Sequence, residues 1–244
     1  LLPSFTESTQ NFELSPLTFG QFNFEILCES QNPLVSFNHV FDLPICHRES
    51  YQSKVGNAIL DFATATENQT ALDAAICFGN WLHEKGIRFG TSAAWNADAN
   101  KSSEVLTGHI LATAQTGEFF INLYRATEDL RFLSDAFLAA RYLMNNVGPE
   151  GIWATFENGL YEAAIAGQFL LHCKQQLMTT YFDSTIKGIV DYFDSVKSVS
   201  GSGYHWNDSF KLTETICRFL MATNYYWLIY DIYHIHIWLL EQAQ

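Results

Sequence analysis

Basic residues are scarce in this chain of 244 residues: 13 Lys and Arg stand against 26 Asp and Glu, a formal charge of −13. Such a surface repels phosphate backbones and anionic lipid head groups, which excludes nucleic acid as a partner. There is no CxxC, and the five cysteines, Cys28, Cys46, Cys77, Cys173 and Cys217, have no recurring His at zinc-ligand spacing. No metal and no cofactor are therefore expected. Cys77, Cys173 and Cys217 fall on apolar helical stretches and read as small buried hydrophobes, whereas Cys28 and Cys46 could pair in an oxidising compartment. A Walker loop, a GxGxxG after a strand and a GxSxG elbow are all missing, and the adjacent Cys46-His47 pair has no third partner for a triad.

Long uninterrupted apolar runs are lacking as well. The most membrane-like segment, residues 216–240, is broken by Arg218, Asn224, Asp231, His234 and His236, so it reads as two core helices joined by a turn rather than a span. The opening LLPSFTESTQ has neither Met nor a signal-peptide pattern, so a removed signal peptide or a piece of a longer chain is expected. The compartment leans secreted or periplasmic on that reading, and the sequons at Asn68, Asn100 and Asn207 add little to it.

What is present is a core: 48% hydrophobic and 15% aromatic residues suffice without metals or disulfides. Residues 1–50 read as an extended segment, a two-stranded ribbon made from QFNFEILC and LVSFNHVFDL. Residues 51–244 read as a helical-hairpin domain with apolar residues three and four apart. Helices are expected at 52–66, 69–85, 104–126, 130–146, 158–174, 180–196, 210–224 and 227–241. The pattern recurs about every 50 residues, longer than a tetratricopeptide or ankyrin unit. Gly117 with Phe119 and Gly167 with Phe169 hold equivalent places. A hairpin with one apolar stripe cannot bury it alone, so neighbours must stack as a solenoid or a closed ring.

The turns entering every second helix carry Trp beside acidic or amide residues: Trp95 and Asp98, Trp153 and Glu157, and Tyr204, His205 and Trp206. Aligning Gly151 with Gly203 places Glu162 on Glu214, about one turn into each helix. In a stacked repeat such turns converge on one mouth, where indole faces stack on sugar C–H faces and carboxylates do acid and base work. Glu162 and Glu214 are thus the catalytic candidates. Trp95, Asp98, His109, Trp153, Glu157, Tyr204, His205 and Trp206 are the binding candidates, with carbohydrate as the partner. The plainer readings are that each Trp plugs an open hairpin end and each Glu serves its helix dipole. His234 and His236, two apart, face different sides of a helix and suit no shared site. Arg88, Lys101 and Lys211 lie near enough in sequence to make the mouth locally basic.

ATAQTGEFFINLYRATEDLRFLSDAFLAARYL resembles the helical hairpin of α/α-toroid carbohydrate enzymes, with Thr127, Asp129, Phe132, Leu133, Ala136, Ala139 and Tyr142 in the matching places. GIWATFENGLYEAAIAG is similar to turns of unsaturated glucuronyl hydrolases, and Leu160-Tyr161-Glu162 to the Tyr-Glu turn of glucuronyl C5-epimerases. The resemblance implies a mainly α fold, a toroid or partial toroid of stacked hairpins, and hydrolysis, elimination or epimerisation of an oligo- or polysaccharide, either uronic-acid-containing or otherwise acidic. Two departures stand: four hairpins where a full toroid has six, and no paired Asp of the hydrolase type. A non-catalytic helical-repeat interaction protein is the alternative expectation, and a homo-oligomer or a subunit of a larger assembly a third.

Overall fold

A computed structural model describes residues 11–13, 21–23, 49–96, 109–148, 153, 159–200, 203–207, 209–225 and 229–242, with backbone alone at 11–13, 21–23, 49–52 and 229–230. The three- and four-residue periodicity becomes eight helices among the described residues. They are α1 (Glu49–Thr66), α2 (Gln69–Lys85), α3 (Ile110–Thr127), α4 (Leu130–Asn146), α5 (Gly159–Leu177), α6 (Asp183–Val196), α7 (Phe210–Ala222) and α8 (Ile229–Gln242). The mainly α fold class expected from the sequence holds. The starts differ where local bonds decide: α6 begins at Asp183 rather than at 180, because the Asp183 N–H donates to the Thr180 carbonyl at 3.0 Å and closes a turn first. For α3, residues 104–108 of the expected span lie outside the described residues.

Each leading helix (α1, α3, α5, α7) turns into its return helix through one left-handed residue, at Glu67, Glu128, Met178 and Asn224. At three of these ends a Thr hydroxyl bonds back into the helix. Thr66 donates to Phe62 O, Thr127 to Leu123 O and Thr223 to Leu220 O, each at 2.7 Å. Each hydroxyl adds a second bond to a carbonyl of the last turn and draws the Thr side chain back onto its own helix.

Two compact units divide within α4, at residues 139 and 140. In the first, α1 packs on α2 and α3, and the antiparallel hairpin of β3 (Ile87–Phe89) and β4 (Ser92–Ala94) joins α2 to α3. The Ser53 and Thr116 hydroxyls meet at 3.0 Å, and Asn122 Nδ2 donates to Asn57 Oδ1 at 3.0 Å. Residue numbers rise together along this seam, so α1 and α3 run parallel. In the second unit α5 packs on α6 and α7, and α8 covers α7 and β6. Lys211 lies over the Tyr161 ring at 5.8 Å, while Gln168 donates to the Thr215 carbonyl at 3.4 Å, so α5 and α7 are parallel too.

From Gly56 to Trp95 the first unit maps onto the second at one constant offset in residue number. β5 (Ser198–Ser200) and β6 (Gly203–His205) answer β3 and β4, Trp206 answers Trp95, and Gly167 answers Gly56. Both glycines lie under an aromatic ring of a parallel helix, and Gly56 also under the Phe78 ring of α2. A Cβ on Gly56 would lie 2.9 Å from the Phe119 ring, and one on Gly167 2.6 Å from the Phe219 ring. The N-terminal ribbon is present with a different partner: β2 (Gln21–Asn23), inside the expected QFNFEILC strand, pairs antiparallel with β1 (Asn11–Glu13), Phe12 opposite Phe22. The expected partner LVSFNHVFDL lies outside the described residues. Among the described residues no helix is long and apolar enough to cross a membrane.

Gly167→Ala should cost about 1–3 kcal/mol of stability in urea unfolding. Adding Phe219→Leu should be less than additive with it, because both changes act on one contact.

Candidate functional site

The three repeated Trp residues make one bond in common. Each indole Nε1–H donates to the carbonyl four residues from the end of the preceding return helix. Trp95 reaches Leu82 O at 2.8 Å, Trp153 reaches Leu143 O at 2.8 Å, and Trp206 reaches Phe193 O at 3.1 Å. Those carbonyls have no partner inside their helices, so the indole acts as a C-terminal cap. Two of the three also grip the next leading helix. The Trp95 N–H donates to the Thr113 hydroxyl at 3.0 Å and the Trp206 N–H to the Thr213 hydroxyl at 3.1 Å, the fourth residue of α3 and of α7. The N-cap residues complete the clamp: the His109 N–H bonds to Trp95 O at 3.0 Å and the Ser209 N–H to Trp206 O at 3.1 Å. These same bonds span residues 96–108 in one unit and only 207–208 in the other.

This geometry corrects the stacking role expected for the three indoles. Trp95, Trp153 and Trp206 are 0%, 2% and 1% exposed, so no ring face is open to a sugar. Trp95 lies edge-on to Phe120 at 5.4 Å and Trp206 edge-on to Phe193 at 6.3 Å. The plainer reading, a plug over each hairpin end, is what the structure displays.

The other candidates separate in the same way. His109 caps α3, its Nδ1 accepting from the Ala112 N–H at 3.3 Å. The His205 ring face is covered by Trp238, stacked on it at 5.0 Å, so it too is corrected from ligand contact to core packing. Tyr204 is half-buried under the Lys197 ammonium, 4.6 Å from its ring centre. Burial pulls the Lys197 pKa down, but its bonds to Asp194 at 2.6 Å and Asp231 at 2.9 Å outweigh that, and the net shift is upward. Lys197 is a structural cation. Asp98 and Glu157 lie outside the described residues.

The two glutamates do not share one position. Thr213 takes the place of Thr113, and the Gly117–Gly167 equivalence puts Ala163 there in α5. Glu162 precedes this position and Glu214 follows it, a difference of two residues. Glu162 is only 6% exposed, although it stands in the first turn of its helix. It lies five residues before Gly167, about 140° around the helix from the Phe219 contact. Glu214 has a 38% exposed side chain and forms an i,i+4 pair with Arg218 at 2.6 Å. Beside it, burial pushes the Cys217 thiol up to about 11, with the Glu214 charge adding to the effect, which removes Cys217 as a nucleophile.

Sequence reasoning missed one ion-pair cluster and one lone buried amide. Asp135, 2% exposed, accepts from His83 Nδ1 at 2.5 Å and from Arg88 at 2.9 Å. Arg88 is therefore occupied by Asp135 instead of making a mouth basic; Lys101 lies outside the described residues. The second is Gln115, 7% exposed on α3, whose buried Oε1 has no hydrogen-bond partner among the described residues. Its signal in the sequence was a lone amide in the small-residue run ATAQTG.

No protein-family model matches the chain, and no curated protein matches it. Among solved structures, a glycoside hydrolase family 76 mannosidase from Bacteroides thetaiotaomicron aligns with a TM-score of 0.60 at 11% identity, over 90% of this chain and 72% of that one. The likeness is one of fold. It supports the stacked helical hairpins of the α/α-toroid class expected from the sequence.

Trp206→Phe should keep the ring packing but leave the Phe193 carbonyl unsatisfied, and should cost about 2 kcal/mol in urea unfolding. The far-ultraviolet helix signal should be unchanged.

Proposed function

We propose that the chain is a carbohydrate-active enzyme that cleaves a glycosidic bond, with Glu162 transferring the proton. The observation that carries this reading is the burial of Glu162. A Glu that only serves a helix dipole does so from the exposed first turn. Burying a carboxyl group costs free energy that the fold must offset, and natural chains keep such groups where they have a task. The fold likeness to a glycoside hydrolase supports the same reading. Glu214, half-exposed and tied to Arg218, is proposed in the lesser role of a ligand contact. Asp98 and Glu157 are proposed as further contacts. Elimination or epimerisation would use the same proton-transfer group and is separated by the products formed.

A second reading, a non-catalytic interaction protein, is favoured by two observations: Trp95, Trp153 and Trp206 are buried, and the large apolar side chains exposed among the described residues include Tyr233 and Leu240 on α8. One experiment decides between them. Purified chain is incubated with manno-oligosaccharides, neutral glucans and uronate-bearing oligosaccharides, and the products are read by mass. The enzyme reading expects turnover that falls by about 10²–10⁴-fold in Glu162→Gln, with an unchanged thermal midpoint. Glu214→Gln should change KM more than kcat. Absence of turnover on every glycan by the unaltered chain would favour the interaction protein.

A further inference from the structure

From Ile110 to Leu123, α3 is buried on every side but one. Leu111, Glu118 and Asn122 are the residues of that stretch that reach solvent in part. With Gln115 they fall at i, i+4, i+7 and i+11, a single stripe along the helix. Gln115 is the member of the stripe that is more than nine-tenths buried, and its Oε1 meets no donor among the described residues. The polar neighbours along the seam are engaged with one another, Ser53 with Thr116 and Asn57 with Asn122. A buried amide oxygen without a donor destabilises the fold, and native chains retain few such groups, each with a cause such as strain, a buried water, an ion or a ligand.

We infer that Gln115 is a ligand-contacting residue that receives a hydroxyl of a neutral sugar ring, and that this stripe of α3 is part of the glycan site. This rests on the proposed glycan-processing function and narrows its substrate class. A hydroxyl both donates and accepts, so it satisfies the amide whichever way the amide is turned. A uronate carboxylate offers only acceptors, and at this place it would meet Glu118 three residues along the same face. The neutral ring is the one the stripe fits.

The test compares the parent chain with Gln115→Leu and Gln115→Met, two apolar replacements of similar volume. Thermal midpoints are measured without ligand, and binding of mannobiose, cellobiose and a glucuronate-bearing disaccharide is measured by calorimetry. The inference expects both variants to melt no lower than the parent and to bind the preferred neutral disaccharide at least tenfold more weakly. It also expects the uronate-bearing disaccharide to bind the parent more weakly than that neutral one. Variants that melt several degrees lower would assign Gln115 to the fold, for instance through a buried water, and overturn the inference. Unchanged disaccharide affinity in stable variants would overturn it equally. A chain that cleaves only uronate-bearing glycans would overturn the neutral-ring assignment and leave glycan processing standing, whereas a parent that neither binds nor cleaves any glycan would overturn both.

Discussion

The structure depends on how closely parallel leading helices approach one another. Gly56 opposite Phe119 and Gly167 opposite Phe219 leave no room for a Cβ, so a ring from one helix lies directly against the backbone of the next. Such contacts cannot slide by a residue without driving an aromatic ring into a side chain. Close packing of this kind fixes register at a cost of roughly 1–3 kcal/mol for any misfit. With register fixed, Ser53 meets Thr116 and Tyr161 lies under Lys211.

The Trp clamps complete what the helix contacts begin. A return helix ends with open carbonyls, and the following chain must reverse direction and enter another helix. One side chain serves both needs, its indole N–H capping the helix before while its backbone N–H is held by a Thr of the helix after. The connection between them is then free to vary, and it does, from residues 207–208 to residues 96–108. Loops that are released from a structural duty are where binding specificity commonly resides. Under the proposed function the reacting and contacting groups are polar side chains of the leading helices, Glu162 and Gln115, and the turn indoles are structural.

Much of the fold was legible in the sequence because it is written in short range. Periodicity located the helices, and Gly117 with Phe119 exposed the hairpin repeat. The longer repeat, two hairpins per unit, was hidden because Val199 and Tyr204 in one ribbon and Arg88 and Ala93 in the other share pairing but not side-chain character. The site was less legible. A Trp in a turn looks the same whether its face is covered by Phe120 or open to solvent, since burial depends on partners distant in the chain. Glu162 and Glu214 matched by gap-free counting, but Thr113 and Thr213 set the true equivalence, and that is a hydrogen-bond fact. Gln115 carried no motif at all; what marks it is an acceptor without a donor.

Indole proton exchange tests the central claim, that the aromatic turns are structural clamps, most directly. In nitrogen-15 spectra of the folded chain in heavy water, the Nε1 protons of Trp95, Trp153 and Trp206 should exchange only on the timescale of global unfolding, with or without added sugar. Exchange of these three within seconds, or shifts in them on adding a glycan as large as those of a contacting residue, would contradict it.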